Sequence, residues 1–198
     1  VARLITGDTQ RKIVVLSAVS GTTNKLVALC TLRHKQDGSG YKQAVSSLHD
    51  EYKQFVSELL PIAEWHEQGT CVIDEHFETL TTAFDDQRQE TEKVILAQGE
   101  LLSTKLFSLY LQMQGIACAL LPALEFMRLD TQGEPDLPVI GAALQTLVTE
   151  QNDTPLFITQ GYICRNHNCE IDNLKRGGSD YTASLIGAAI KAYEVQIW

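Results

Sequence analysis

The sequence lacks the short motifs that mark several common ligand-binding and catalytic loops. It has no Gly-rich lysine loop of the Walker type, no Gly-x-Gly-x-x-Gly and no Gly-x-Ser-x-Gly. Its longest apolar run, Ile116 to Leu124, is interrupted by Pro122 and is too short to cross a bilayer. Positive charge is scarce, with 16 basic against 25 acidic residues and a formal charge of −9. This balance disfavours nucleic acids and anionic membranes as partners.

Cysteine use indicates a reducing environment. The five cysteines, an odd number at irregular spacing, are typical of reduced thiols in a cytoplasmic protein and not of a disulfide framework. The segment from Cys164 to Cys169, with His167 inside it, offers only three ligand residues where structural zinc needs four. We predict that these residues belong to a hairpin and that the chain has no metal site of its own.

Short apolar strands alternate with amphipathic helical stretches, which is typical of a three-layer α/β/α sandwich with a mostly parallel sheet. Strands are predicted at residues 12–16, 116–121, 156–160 and 194–198. Helices are predicted at 24–34, 41–67 with a break near Pro61, 71–89, 91–114 with a break near Gly99, 139–149 and 179–193. Residues 129–137 and 166–175 are predicted loops, and 161–164 either continue a strand or form a hairpin. No linker divides the chain, so residues 1–198 are predicted to form one domain.

The loop from Ser17 to Thr23 leaves the carboxyl end of a strand and enters a helix. Ligands of open α/β sheets bind at that edge, and a helix N-terminus offers free N–H groups to anions. Ser17, Ser20 and Gly21 therefore form a candidate phosphate-binding loop. The alternative is an ordinary helix N-cap made by Ser20, Thr22 or Thr23.

A second loop, Arg176-Gly-Gly-Ser-Asp-Tyr181, precedes another predicted helix. Gly177 and Gly178 permit backbone conformations closed to other residues, and Arg176 carries a planar fork suited to a carboxylate or phosphate. Ser179 or Asp180 can cap the helix. The alternative is a glycine-rich turn beside a solvated arginine.

Glu100 is a third candidate, in the segment Gln98-Gly-Glu-Leu-Leu-Ser103. If Gly99 breaks the helix, Glu100 lies in the first turn of the next helix, where a carboxylate is favoured. That local role is one interpretation. The other is a carboxylate that binds the ammonium group of a substrate.

Four segments together resemble the aspartate kinases of the amino acid kinase family. They are Val14-Val-Leu-Ser-Ala-Val-Ser-Gly-Thr-Thr-Asn-Lys-Leu26, Gly99-Glu-Leu-Leu-Ser103, Arg176-Gly-Gly-Ser-Asp-Tyr-Thr-Ala183 and Ile197-Trp198. Each is weak alone, but they occur in the family's order and at plausible distances, in a form similar to monofunctional bacterial enzymes.

The resemblance implies a function and a set of site residues. The function is transfer of the γ-phosphoryl of ATP, with Mg²⁺, to the β-carboxylate of L-aspartate, at the start of lysine, threonine and methionine biosynthesis. It implies that Thr23 contacts aspartate, Glu100 binds its amino group and Arg176 clamps a carboxylate. It further implies supporting contacts from Gly177, Gly178 and Ser179, a role for Asp180 in organising the reacting centre, and a homo-oligomeric enzyme.

Two departures from the family pattern lead to a further expectation. The family opens with a Lys-Phe-Gly-Gly-Thr-Ser strand whose lysine neutralises the transferring phosphoryl group, and it continues past Ile-Trp into nucleotide-binding residues and ACT domains. None of these occurs in the 198 residues. We therefore expect a catalytic-domain piece of a longer chain, incomplete at both ends and inactive alone. The alternatives are another enzyme of the amino acid kinase family and a non-catalytic sensing or assembly module of the same fold.

Overall fold

The computed structural model describes residues 1–8, 10–151, 153–174 and 177–198. The chain divides into two compact units. Residues 1–17 and 117–198 form one, here called the sheet unit, and residues 18–116 form the other, called the helical unit. None of the helices in the described ranges is long and apolar enough to cross a membrane.

The elements follow one another in chain order through both units. The helices are α1 Ala2–Ile5, α2 Thr22–His34, α3 Gly38–Leu59, α4 Ala63–Thr82, α5 Thr91–Met113, α6 Ala123–Phe126, α7 Leu137–Glu150 and α8 Gly178–Ile190. The strands are β1 Lys12–Leu16, β2 Ala119–Leu121, β3 Leu156–Gln160, β4 Ile163–Arg165 and β5 Ile171–Asn173.

A three-stranded parallel sheet is the centre of the sheet unit. The strand order is β1-β3-β2, and all five residues of the central strand β3 are buried. A strand covered on both faces reads as a continuous apolar run, which is why β3 was predictable residue for residue. Strand β1 is half-buried throughout and was predictable from its β-branched residues. The predicted α/β class with a parallel sheet is confirmed.

The second predicted strand is shorter than expected. Ile116 donates its backbone N–H to Leu111 O and so completes the end of α5, where Gly115 adopts a φ of +72°. Extended pairing therefore begins only at Ala119.

A small antiparallel hairpin of β4 and β5 follows the sheet. It confirms the hairpin alternative for residues 161–164, and it places strand β5 inside the predicted loop 166–175. Asn166 Oδ1 accepts hydrogen bonds from the N–H groups of Asn168 and Glu170, at 2.9 and 3.0 Å. The residues between Cys164 and Cys169 thus make a turn, as predicted.

The predicted strand at 194–198 is wrong. Among the described residues, 194–198 pair with no strand, and the side chain of Trp198 is 89% exposed. The apolar run alone suggested a strand, but backbone groups also need a neighbouring strand to bond with. Helix α8 correspondingly ends at Ile190, before Lys191 in a left-handed conformation at φ +53°.

Four long helices make up the helical unit, and their apolar faces share one core. The predicted break near Pro61 is confirmed, since α3 ends at Leu59 and α4 begins at Ala63. The predicted gap between residues 67 and 71 is wrong because α4 runs through it. Gly69 is a packing residue there: a Cβ on it would lie 2.6 Å from Leu60 Cδ1.

Packing around β3 gives the first prediction. Phe157 is completely buried in the central strand, so Phe157→Ala should lower the free energy of unfolding by roughly 3–5 kcal/mol. Val139→Ala on the exposed side of α7 is the control and should change it by less than about 0.5 kcal/mol. Urea denaturation measures both. A loss below about 1 kcal/mol for Phe157→Ala would contradict the central position of β3.

Candidate functional site

The loop after β1 enters α2 through a glycine. Gly21 is the N-cap residue of α2, with a φ of +82°, and no described side chain caps this helix. The alternative of an ordinary N-cap by Ser20, Thr22 or Thr23 is therefore wrong. Ser20 and Thr23 are exposed, whereas Thr22 is buried. The first turn of α2 carries the positive end of the helix dipole without a side-chain acceptor.

Glu100 lies in the middle of α5, and the predicted break at Gly99 is wrong. Gly99 is small because α5 passes close to the loop: a Cβ on it would lie 2.8 Å from Ala18 Cβ. That approach allows the Ala18 N–H to donate to Glu100 Oε1 at 3.3 Å. The side chain of Glu100 is therefore a buried acceptor and not a residue of a helix first turn.

The charge of Glu100 is poorly compensated. Its residue is only 5% exposed, and no lysine, arginine or histidine in the described ranges forms an ion pair with it. Burial raises its pKa to about 7, against the opposing effect of the Ala18 N–H. Such a carboxyl gains most from a cation that enters the site.

The side chain of Thr22 is held in place by a hydrogen bond in the interior of the helical unit. Its hydroxyl oxygen lies 2.9 Å from the hydroxyl oxygen of Tyr52 on α3, and both residues are buried. Burial is the main cause that raises the pKa of Tyr52, so its hydroxyl stays protonated at neutral pH.

In the sheet unit, the start of α8 packs directly against the chain that leaves β3. A Cβ on Gly161 would lie 2.7 Å from Ser179 Cα, and one on Gly178 would lie 2.5 Å from Tyr162 Cδ2. The N–H of Tyr162 donates to Thr182 Oγ1 at 3.0 Å. Two glycines thus allow backbone to meet backbone at the carboxyl edge of the sheet.

The N-terminus of α8 resembles that of α2. Its N-cap is Gly177, with a φ of +70°, and no described side chain caps it, so the predicted cap by Ser179 or Asp180 is wrong. Asp180 is exposed in the first turn, where the helix dipole favours a carboxylate. Ser179 Oγ accepts a hydrogen bond from Ser17 Oγ at 2.9 Å. The structure therefore brings together residues of the two predicted loops.

The predicted site residues fall into two groups, each within its own unit. Ser17, Gly177, Gly178, Ser179 and Asp180 lie in the sheet unit. Ser20, Gly21, Thr23 and Glu100 lie in the helical unit, and the boundary between the units falls at the Ser17–Ala18 peptide bond. Arg176 lies outside the described residues.

Several residues at these positions escaped the sequence analysis. Gly161 directly follows a predicted strand and could have been found by that placement. Tyr52, Tyr162 and Thr182 carry no local signal, because their contacts join distant segments. Within the described ranges, no three histidine, cysteine, aspartate or glutamate side chains form a group that could hold a metal ion.

Comparison with known proteins defines the class. A sequence model of the amino acid kinase family matches residues 1–198, so the chain belongs to the amino acid kinase family. Within that family it is 31% identical over 206 residues to aspartokinase 2, chloroplastic, of Arabidopsis thaliana, covering 96% of this chain and 36% of that protein. It is 29% identical over 206 residues to lysine-sensitive aspartokinase 3 of Escherichia coli, covering 100% of this chain and 44% of that protein.

Solved structures agree with the sequence relatives. E. coli aspartokinase III in complex with aspartate and ADP superposes with a TM-score of 0.81 at 27% identity, over 100% of this chain and 44% of that one. The same enzyme in complex with lysine and aspartate gives a TM-score of 0.82, with the same identity and coverage. The amino acid kinase-like fold is thereby confirmed, and the chain spans less than half the length of these relatives.

The buried carboxyl of Glu100 gives the second prediction. Between its ordinary pKa of 4.5 and about 7, the folded protein holds a proton that the unfolded chain has lost. The free energy of unfolding should therefore fall as pH rises through this window, by an amount on the order of 3 kcal/mol, and level off above it. Glu100→Gln should remove that fall.

Urea denaturation at a series of pH values checks this. Glu67→Gln is the control, because Glu67 is an exposed acid on α4 and should leave the wild-type pH profile unchanged. Titration of other groups, including buried His76, contributes equally to all three proteins. Parallel profiles for wild type and Glu100→Gln would contradict the raised pKa.

Proposed function

We propose that this protein is an aspartate kinase, which transfers the γ-phosphoryl of ATP to the β-carboxylate of L-aspartate and yields 4-phospho-L-aspartate. The observation that carries the proposal is the buried carboxyl of Glu100, which lacks a cationic partner among the described residues and lies beside the loop that follows β1. A substrate ammonium supplies the missing cation. The aspartokinase relatives, one of which was crystallised with aspartate and ADP, support the same assignment.

Binding of the amino group is the task we assign to Glu100. Inside a protein an uncompensated charge is costly, and a paired charge is much less so. An entering ammonium group would lower the pKa of Glu100 and convert the carboxyl into a carboxylate. Thr23 is exposed at the first turn of α2 and is proposed to contact the same substrate.

The carboxylates of the substrate are assigned to the loop before α8. Arg176 is proposed to clamp one of them through its guanidinium group, which suits bidentate binding. Gly177, Gly178 and Ser179 would supply backbone and hydroxyl donors at the uncapped start of the helix. Asp180 is proposed to organise the reacting centre.

Phosphate binding is assigned to the loop after β1. Ser17, Ser20 and Gly21 precede the uncapped N-terminus of α2, where free N–H groups and the helix dipole favour an anion. The nucleophile is already an anion, so the transfer needs no general base. The residues act by positioning the reactants and neutralising charge.

ATP and Mg²⁺ are the proposed cofactors. Mg²⁺ usually keeps several waters and binds one or two carboxylates together with substrate phosphates. Asp180 offers one exposed carboxylate at the start of α8, which fits this pattern. When bound, the ion neutralises charge on the phosphates. The proposal also includes a cytoplasmic location and a homo-oligomeric state, both of which rest on the resemblance to aspartate kinases.

An acceptor assay with the full-length protein tests the function and gives the third prediction. We expect ATP-dependent ADP release with L-aspartate and little with N-acetylglutamate or succinate, because these lack a free ammonium group for Glu100. In Glu100→Gln, aspartate should react less well and the preference for an amino group should relax. Activity on acetylglutamate or on a nucleotide in place of aspartate would overturn the proposal.

Arg176 gives the fourth prediction. Arg176→Lys keeps the charge but loses the bidentate geometry, so the KM for aspartate should rise by one to two orders of magnitude, roughly 1.5–3 kcal/mol. The KM for ATP should change much less. Lys191→Arg is the control, because it exchanges the same two residue types outside the loop, at the residue that follows α8. It should change neither the KM for aspartate nor the KM for ATP. A rise in the KM for ATP alone would contradict the role given to Arg176.

A further inference from the structure

The hydrogen bond between Thr22 and Tyr52 is buried, and neither residue has been given a role in the candidate site. Thr22 is the first residue of α2, directly between Gly21 and Thr23, and Tyr52 lies in the middle of α3. We propose that Tyr52 is a positioning residue: through Thr22 it fixes the first turn of α2, and so the placement of Thr23 for L-aspartate. The choice of L-aspartate as the ligand rests on the proposed function, whereas the geometry of the contact does not depend on it.

Tyr52 is itself firmly held. Its ring packs at 6.1 Å from the ring of Phe55 and at 5.7 Å from that of Phe77, both measured between centroids. A fixed ring gives its hydroxyl a fixed position. Because Tyr52 and Thr22 are each only 3% exposed, the two hydroxyls bond to one another where water has little access. In such surroundings an unmade hydrogen bond is costly.

Thr22 also contacts the segment that carries Glu100. A Cβ on Gly99 would lie 3.6 Å from Thr22 Cγ2 and 2.8 Å from Ala18 Cβ. One side of Thr22 therefore meets α5 next to Glu100, while its hydroxyl meets Tyr52 on α3. Thr22 thus links α2 to α3 by its hydrogen bond and packs its methyl group against α5, at the point where α2 begins.

The hydrogen bond between Thr22 and Tyr52 orients the neighbouring residue Thr23, and the two bonded residues do not themselves touch the ligand. Thr22 and Tyr52 are buried, whereas the next residue, Thr23, is exposed. Glycine at position 21 provides no side chain to fix the first turn of α2. The bond from Thr22 to Tyr52 supplies that constraint from the interior and leaves the outer side of the turn open.

Tyr52→Phe tests the inference because it removes the hydroxyl and keeps the ring. Tyr41→Phe is a matched control: Tyr41 is on the same helix, is equally buried, and donates its hydroxyl to Leu80 O at 2.7 Å. Loss of one hydrogen bond corresponds to about a five-fold change in an equilibrium constant. Both variants should lose similar stability in urea denaturation.

Two readouts separate positioning from a purely structural role. In Tyr52→Phe, amide hydrogen exchange in the segment 17–26 should become about five-fold faster, and the dissociation constant for L-aspartate should rise about five-fold in calorimetry. Tyr41→Phe should change neither. Thr22→Val should reproduce the effects of Tyr52→Phe. Thr22→Ser keeps the hydroxyl and loses only the methyl group, so its values should stay near those of the wild type. The double variant Tyr52→Phe/Thr22→Val should be no worse than either single variant.

The outcomes distinguish this inference from the proposed function. If the wild type binds aspartate and Tyr52→Phe binds it equally well with unchanged exchange, the inference is wrong and the function stands. If the wild type binds no aspartate, the function fails, and exchange in the segment 17–26 still decides whether Tyr52 fixes the turn. If Tyr41→Phe changed amide exchange and aspartate binding as much as Tyr52→Phe does, Tyr52 would contribute only to general stability and the inference would be wrong.

Discussion

The pairing of β1 with β3 is the constraint on which the sheet-unit half of the candidate site depends. The register joins Lys12 to Leu156 at one end and Leu16 to Gln160 at the other, so both strands stop at the same level. Gly161 then donates its N–H to Leu16 O at 2.8 Å, one step beyond the ladder. Because of this alignment, Ser17 leaves β1 beside the chain that packs on α8, and its hydroxyl reaches Ser179. A slip of one residue would turn every side chain of β1 to the other face and separate the two serines.

The helical unit buries polar groups that a unit selected for stability alone would avoid. Glu100, Thr22 and Tyr52 are each at most 5% exposed; the Ala18 N–H donates to the carboxyl, and the hydroxyl of Thr22 is hydrogen-bonded to that of Tyr52. Each such group costs free energy on folding that one hydrogen bond only partly recovers. Other polar side chains are buried elsewhere in the helical unit, among them His76, Gln98 and Thr104, beside the apolar core that runs from Val45 on α3 to Ile95 on α5. Of the buried polar side chains in the described residues, Glu100 is the carboxylic acid, the group that gains most from a cationic ligand group.

Sequence reasoning succeeded where a local pattern determines the structure. The strands at 12–16 and 156–160 are marked by their β-branched and apolar residues, and Pro61 marks the break between α3 and α4. Sequence reasoning failed where the role of a residue depends on a distant partner. Gly69 and Gly99 look like helix breaks in sequence, yet both lie inside continuous helices because another segment approaches them closely. Glu100 was found as a candidate, but its burial and raised pKa follow from packing between α5 and Ala18, which no spacing along the chain reveals. Tyr52 could not be found, since nothing near it in sequence indicates Thr22.

Among the described helices, α2 and α8 at the candidate site are the two whose N-cap residue is a glycine. Helices α3 and α7 begin at aspartates, Asp37 and Asp136, whose carboxylates accept N–H groups of the first turn. Helices α2 and α8 begin instead at Gly21 and Gly177, each in a left-handed conformation and without a side-chain cap. Glycine costs only a few tenths of a kcal/mol relative to a good capping residue, so the loss of stability is small. In return, no described side chain caps the first turn of either helix, although the Thr22 N–H is bonded to Val19 O at 3.0 Å. Helices α1, α4, α5 and α6 also lack a side-chain cap among the described residues, so the missing cap alone does not single out α2 and α8. What these two helices share is a left-handed N-cap glycine inside the Gly-Thr-Thr and Arg-Gly-Gly-Ser-Asp segments, which leaves room for an anion at the helix start in both loops.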